Sequence, residues 1–569
     1  MSKLRSHLAC LVDPATPDES KLKAAQEVSE NLENIVNSQH YSNFLETAIP
    51  IFLQLLKDGE PQFTADSHSQ QLRKLVLELI HRLPANEQLK GHVKVILTGM
   101  FLLLEVENEE NVLVCLRIII ELHKQFRPSL SPEIMRFLMF VKTVYTELPK
   151  TMQTLFEPLE GEVPTGVGGA AGPGPGSGVS GQGEEMTKAP SSTLPKAASS
   201  LKVLAELPII VVLMYQLYKQ TVHSVVGEFI PLTMKTIVLQ PSQKAKLSPN
   251  FNKELYVDFM AVQIKFLSFL AYIIRIYQEQ VASYASNLVQ GMVALLRNCP
   301  QEVAHLRKEL LIAARHILAT DLRNKFLPCI DHLFDENLLI GSGWTTRESV
   351  RSLAYSILAD LVHHIRAQLS LAQLSMAVQL FSKNVHDDTI PVSIQMMSCK
   401  LLLNLVECIR VKSEQDPAAR DLLMKMMEVF VLKFQAIAVY QIPELFKQCQ
   451  PPSEAGVSPN LEAPPTSSTP NGEGVKKGSS PAPSASASSM ASMSMVIPLT
   501  VSDCRTMVKT LVCGMKTITW GAGSCKVAGS TVDYGKMAWV YGTWAPRGSS
   551  GGGGDASSRS EHPHPLWCH

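Results

Sequence analysis

The chain has 569 residues, enough for several domains or for one extended array. Its 52 Lys and Arg are balanced by 52 Asp and Glu, so the overall basic excess of a dedicated nucleic-acid or anionic-membrane binder is missing. Hydrophobic residues make up 45 % and aromatic residues only 6 %. Leu, Ile, Val and Met therefore supply most of the apolar surface, which favours helix-on-helix packing over aromatic-rich β structure.

The opening MSKLRSHLACLVDPA has an apolar run too short for a signal peptide. Residues 1–157 read as a block of amphipathic helices. QQLRKLVLELIHRLP (70–84) and ENVLVCLRIIIELH (110–123) both carry apolar residues at helical spacing. Between helices, Glu105, Glu107, Glu109 and Glu110 read as a solvated turn with carboxylates at the next helix N-terminus, where the dipole favours them. A basic-partner dock is the competing reading of that cluster.

Residues 158–200 include GEVPTGVGGAAGPGPGSGVSGQG and are expected to be a flexible Gly/Pro/Ser-rich linker. Residues 201–449 return to the helical pattern. Val350, Leu353, Ala354, Ile357, Leu358 and Leu361 trace one apolar face, with Arg347, Glu348, Arg351 and Asp360 off it. Residues 450–496 are Pro/Ser-rich and read as a second disordered linker. Residues 497–526 hold a short helix that Ser502 or Asp503 can cap. From Val527 the character changes. Residues 527–569 contain GGGG, HPHP and three of the five Trp, and are expected to be a disordered tail.

Pro50, Pro231 and Pro328 each fall early in an apolar helical segment, and proline in a helix removes a hydrogen bond and bends it. Pairs of helices with a bent first member are the pattern of HEAT-type repeats. The predicted fold is therefore all-α, a HEAT-type α-solenoid with two disordered linkers.

No catalytic motif falls where it could work, and no catalytic, cofactor-binding or metal residue is assigned. Gly176, Gly178 and Gly181 form G-x-G-x-x-G inside the linker, without the strand and helix that a dinucleotide site needs. Gly548, Ser550 and Gly552 form G-x-S-x-G in the tail, without a strand-to-helix turn. His363 and His364 are adjacent on a helix and point about 100° apart, which suits one to the core edge and one to solvent rather than both to a metal. His562, His564, Cys568 and His569 would hold a metal only adventitiously. Met424, Met426, Met427 and Phe430 could line an adaptable groove, but at helical spacing they read first as core. Lys476 and Lys477 alone are too weak for an import signal.

The eleven cysteines lie between Cys10 and Cys568 with no C-x-x-C pair, which argues against a disulfide framework or zinc cluster and for a reducing compartment. The longest uncharged apolar run, Leu207–Tyr218, is shorter than the roughly 20 residues of a membrane span. A soluble intracellular protein with no membrane partner is expected.

The strings QQLRKLVLELIHRLP (70–84), LKVLAELPIIVVLMYQLYK (201–219), AHLRKELLIAARHIL (304–318), FDENLLIGSGWTTRE (334–348), MSCKLLLNLVECIR (397–410) and TLVCGMKTITWG (510–521) resemble the N-terminal region of the transformation/transcription domain-associated (TRRAP) family. The resemblance covers most of residues 13–526. That family belongs to the phosphatidylinositol-3-kinase-related group, with HEAT repeats followed by FAT and pseudokinase regions. The resemblance implies a nuclear, non-catalytic scaffold of histone acetyltransferase complexes. Its implied partners are complex subunits and the transactivation segments of sequence-specific, Myc-type activators, with no cofactor and no direct sequence-specific nucleic-acid contact. The chain departs from the family by stopping before the FAT and pseudokinase regions and by its sequence after Lys526. An importin-like transport or assembly factor is the alternative with the same architecture.

Overall fold

The computed structural model describes residues 2–157, 193–300, 303–449 and 500–520. Helix dominates them, and the only β contacts among the described residues are two isolated bridges. The helices form successive antiparallel pairs. These are α1 (Ser2–Val12) with α2 (Asp18–Glu30), α3 (Tyr41–Asp58) with α4 (His68–His81), and α5 (Val93–Val106) with α6 (Glu109–Gln125). Next, α7 (Ile134–Phe156) precedes α8 (Leu201–Val238), whose second half leads into α9 (Lys253–Ile273). Then come α10 (Ala285–Asn298) with α11 (Ala304–Leu318), and a 3-10 turn at Asp321–Cys329 with α12 (Trp344–Ile365). The array ends with α13 (Leu371–His386) and α14 (Val392–Ser413), then α15 (Pro417–Ala436) and α16 (Val501–Trp520).

Packing runs from neighbour to neighbour. Second helices stack in the order α2, α4, α6, α8, α9, α11, α12, α14, α16, and the first helices α1, α3 and α5 likewise touch in order. Each pair buries its apolar face only against adjacent pairs, which is the α-solenoid expected from the sequence.

One helix serves two pairs. α8 breaks at Tyr218 (φ −126°, ψ 33°), not at its prolines Pro208 and Pro231. Its first half lies on α6, where Lys202 reaches Glu109 and Tyr218 meets His123. Its second half lies on α7, where Glu228 pairs with Lys142 and Phe229 meets Tyr145 edge-on. Pro50 sits inside α3, but Pro328 lies in 3-10 geometry rather than in a bent α-helix.

The insertions 158–192 and 450–499 each fall between the first and second helix of a pair. α16 closes the array on α14 and α15. Gly514 permits this close approach, because a Cβ there would lie 2.5 Å from Phe430 Cε2. The α16 cap is Thr500 rather than Ser502 or Asp503. Thr500 Oγ1 accepts from the Asp503 amide at 3.1 Å, and the Asp503 carboxylate accepts from the Thr500 amide at 3.3 Å, a reciprocal capping box.

Residues 193–200, which composition places in the flexible linker, form a tied strap. The Leu194 amide donates to Phe63 O at 2.7 Å, Ala197 to Glu107 O at 3.1 Å, and Pro195 O accepts from the Glu109 amide at 3.0 Å. Leu194 and Ala197 are buried, and Ser200 caps α8. Backbone pairing and two buried side chains outweigh the local turn-forming composition here.

A repeated polar device joins the pairs. The last carbonyls of a helix have no partner within it. Second helices supply one from a buried side chain. Arg73 donates to Leu56 O and Gly59 O at 2.8 and 2.9 Å. Arg307 donates to Leu296 O and Cys299 O at 3.0 and 3.1 Å. Gln263 reaches Thr236 O and Leu239 O, and Gln395 reaches Asp387 O and Ile390 O. Such bonds contribute about 1 kcal/mol each, and roughly 1.5–3 kcal/mol when the donor is charged.

Two sequence expectations need correction. On α12, Val350, Ala354, Leu358 and Leu361 are buried, but Leu353 is only half-buried and Tyr355 is fully buried. Arg351 is not a solvated residue. It pairs with Asp387, donates to Thr389 Oγ1 at 2.8 Å and lies 5.9 Å from the Tyr355 ring centroid. Packing against both α11 and α14 widens the buried arc of α12 beyond one stripe. Second, segments Leu201–Gly227, Lys253–Ile273 and Val392–Ser413 are long and apolar enough, by length and composition, to cross a membrane. A count of strictly uncharged residues missed them because isolated charges interrupt each run. Half or more of each apolar window is buried inside the solenoid.

Candidate interaction surface

The acidic turn before α6 is the most heavily bonded polar centre that the sequence singled out. Asn108 caps α6 by accepting from the Asn111 amide at 3.0 Å. Glu107 is fully buried, not solvated. Its carboxylate takes Arg73 Nε at 2.9 Å and Asn111 Nδ2 at 2.8 Å. Gln70 Oε1 accepts from Asn108 and Asn111, so α4, α6 and the turn between α5 and α6 share one network. Glu109 accepts from Ser200 Oγ and Lys202 Nζ at 2.8 Å each, and that hydrogen bond holds the Lys202 ammonium above its usual range. Glu110 pairs with Lys74 at 2.9 Å, and Glu105 alone of the four is exposed. The cluster thus faces inward, and its chemistry is structural. A charge run gives no sign of this in the sequence, because the partners Arg73 and Gln70 lie more than 30 positions earlier.

His363 and His364 divide as expected, half-buried and exposed. His363 Nδ1 lies 3.3 Å from Asn404 Nδ2, and burial lowers its pKa to about 4. No group of three or more metal-ligating side chains occurs among the described residues. The Met/Phe stripe on α15 is split. Met426 and Phe430 are buried, Met427 is half-buried and Met424 is exposed. The motifs at Gly176, Gly178, Gly181, Gly548, Ser550 and Gly552, the lysines at 476 and 477, and the terminal His562, His564, Cys568 and His569 lie outside the described residues.

No disulfide joins the described cysteines. Burial raises Cys399 to about 12 and Cys329 to about 11, and drives Cys115 higher still. Protonated, buried thiols are poor nucleophiles.

A depression of about 760 Å³ opens where α8 meets the end of α9, lined by His223, Gly227, Ile276, Tyr277 and Gln280 among others. His223 and Tyr277 stack with centroids 4.9 Å apart, and Tyr277 donates to His223 O at 2.6 Å. The rings pack on each other, and the Tyr277 hydroxyl also lies 3.2 Å from His223 Nδ1. Sequence reading did not find this depression, since its residues lie some 50 positions apart without a motif.

The molecule thus presents a long surface built from stacked helix pairs. Comparison with known proteins matches that architecture. A family model described as the Tra1 HEAT repeat central region matches residues 255–540, half of the chain. It runs past Lys526, where the sequence reading ends the resemblance. The chain is 56 % identical over 570 residues to the transformation/transcription domain-associated protein of Danio rerio and 55 % identical over 562 residues to that of Homo sapiens. Each alignment covers 93 % of this chain and 14 % of the relative, so the chain spans a small part of those proteins. It is 31 % identical over 459 residues to the SAGA complex/NuA4 acetyltransferase complex subunit TRA1 of Saccharomyces cerevisiae, covering 74 % of this chain and 12 % of that one. By fold and by sequence, the chain belongs to the Tra1 HEAT-repeat family.

Proposed function

We propose that this chain is a non-catalytic scaffold section of a nuclear histone acetyltransferase complex. It docks complex subunits and the transactivation segments of sequence-specific activators of the Myc type. The observation that carries the reading is the continuous stack of helix pairs in a chain more than half identical to its vertebrate relatives. A solenoid of this kind offers an extended surface to partner segments. The printed name of the yeast relative, a subunit of the SAGA and NuA4 acetyltransferase complexes, supports the choice of complex.

Affinity purification of the full chain from nuclear extract, with mass spectrometry, tests this. Acetyltransferase-complex subunits should be enriched, and the purified chain should show no acetyl or phosphoryl transfer. Enrichment of transport cargo without those subunits, or transfer activity that survives repurification, would contradict the reading.

A further inference from the structure

The helix that begins as α15 carries an exposed apolar stripe. It does not stop at Ala436 but runs on through a π turn at Ile437–Gln441 into Ile442–Cys449. Met424, Val431 and Phe434 are exposed at i, i+7 and i+10, with the half-buried Met427 at i+3. That spacing keeps all four on one side of the helix. Past the wider π turn, Val439 and Phe446 are exposed and Ile442 is half-buried, which extends the stripe to the end of the helix. Met424 is 62 % exposed and Phe446 69 %. At 1.5 Å per residue the stripe is roughly 30 Å long.

Single exposed apolar side chains are ordinary, whereas a continuous stripe marks a surface that something covers. The neighbouring first helix, α13, exposes no large apolar side chain. Charge does not select the occupant, because Lys425 and Glu428 flank the stripe with one charge of each sign. Apolar complementarity does. Met424 and Met427 offer thioethers, which adapt readily to aromatic rings.

The chain carries such rings close by. Gly514 of α16 lies against Phe430 of α15, and α16 ends six residues later at Trp520, about 9 Å along its axis. Trp520 is 72 % exposed. The sequence that follows includes YGKMAWVYGTW (534–544), which gathers Tyr534, Met537, Trp539, Tyr541 and Trp544. The 13 residues between Trp520 and Tyr534 can span about 40 Å when extended, more than the length of the stripe.

We propose that residues 534–544 dock on the α15 stripe of the same chain. The short tether favours this occupant over a second copy, since it holds the segment at an effective concentration of about millimolar. The contact goes beyond the scaffold reading and does not depend on it. It gives a use to aromatic residues that composition alone assigns to a disordered tail.

The test is photo-cross-linking of the full chain with Trp539→p-benzoylphenylalanine, in an equal mixture of isotope-labelled and unlabelled protein, read by mass spectrometry. Cross-links should join the probe to peptides within residues 424–446 of the same chain. Links that fall elsewhere would overturn the proposal. So would links of which half are mixed in isotope, since these assign the stripe to a second copy. Phe434→Asp with Phe446→Asp should cut the yield at least five-fold. Val95→Asp with Leu102→Asp, exposed apolar residues of α5, should leave it within two-fold. Equal yields from the two pairs would contradict the assignment. A second measurement leaves every helix untouched: Trp539→Ser with Trp544→Ser should uncover the stripe and raise binding of a hydrophobic dye at least two-fold. Unchanged dye binding would also overturn the proposal.

Discussion

Arg73 of α4 and the buried Glu107 meet across 34 positions of sequence, with Nε 2.9 Å from Oε1 and both side chains at 2 % exposure or less. The same guanidinium holds the carbonyls that end α3, so one side chain ties three successive helices. Removing one partner of such a pair leaves the other buried and unpaired. Glu107→Ala should therefore cost about 3–5 kcal/mol, read as a lowered urea midpoint. Adding Arg73→Met should recover only part of that loss, since Leu56 O and Gly59 O then lose their donor. Full recovery would show that the carbonyl bonds contribute nothing.

The closing helix offers a second check. Gly514 meets the face of Phe430, where a methyl group has no room. Gly514→Ala should destabilise the C-terminal end by about 1–3 kcal/mol, the usual cost of overpacking. Phe430→Leu in the same chain should relieve part of it. Hydrogen exchange of α15 and α16 reads both. Unchanged protection in Gly514→Ala would mean that α16 does not pack on α15.

His123 gives a pH dependence. Its ring is buried beside Tyr218, with Nδ1 2.8 Å from the phenolic oxygen, while that hydroxyl donates to Arg127 O at 3.2 Å. The Tyr proton is thus committed, and the neutral ring donates from Nδ1. Burial lowers the pKa of His123 to about 4, against 6.5 for an ordinary histidine. Below pH 6.5 the unfolded chain takes up a proton that the fold refuses. Stability is therefore complete above pH 6.5 and falls as pH drops toward 4. About 2 kcal/mol should be lost between pH 7.5 and 5 from this one group. His363, also lowered to about 4 but more exposed, adds less. Urea midpoints at the two pH values check the slope, and His123→Asn should flatten it. An equal slope in the variant would assign the effect elsewhere.

Helical periodicity made the fold legible, because leucine-rich stripes at i, i+3 and i+4 have one solution in water. The faces were less legible. Leu353 and Arg351 were misplaced because a single stripe describes a surface helix, whereas α12 is covered on both flanks. Glu107 looked solvated because a buried carboxylate is recognised by its partner, and Arg73 is distant in sequence. The strap at 193–200 looked like linker because its order comes from backbone pairing with Phe63, Glu107 and Glu109, which composition does not encode.

The central structural claim is that both insertions interrupt helix pairs within one array. Engineered protease sites placed after Gly178 and after Ser480 test it. After cleavage, the three pieces should co-elute in size exclusion and melt in the transition of the uncut chain, because α8 stays packed on α6 and α7, and α16 on α14 and α15. Pieces that separate on the column and melt independently would contradict a single continuous solenoid.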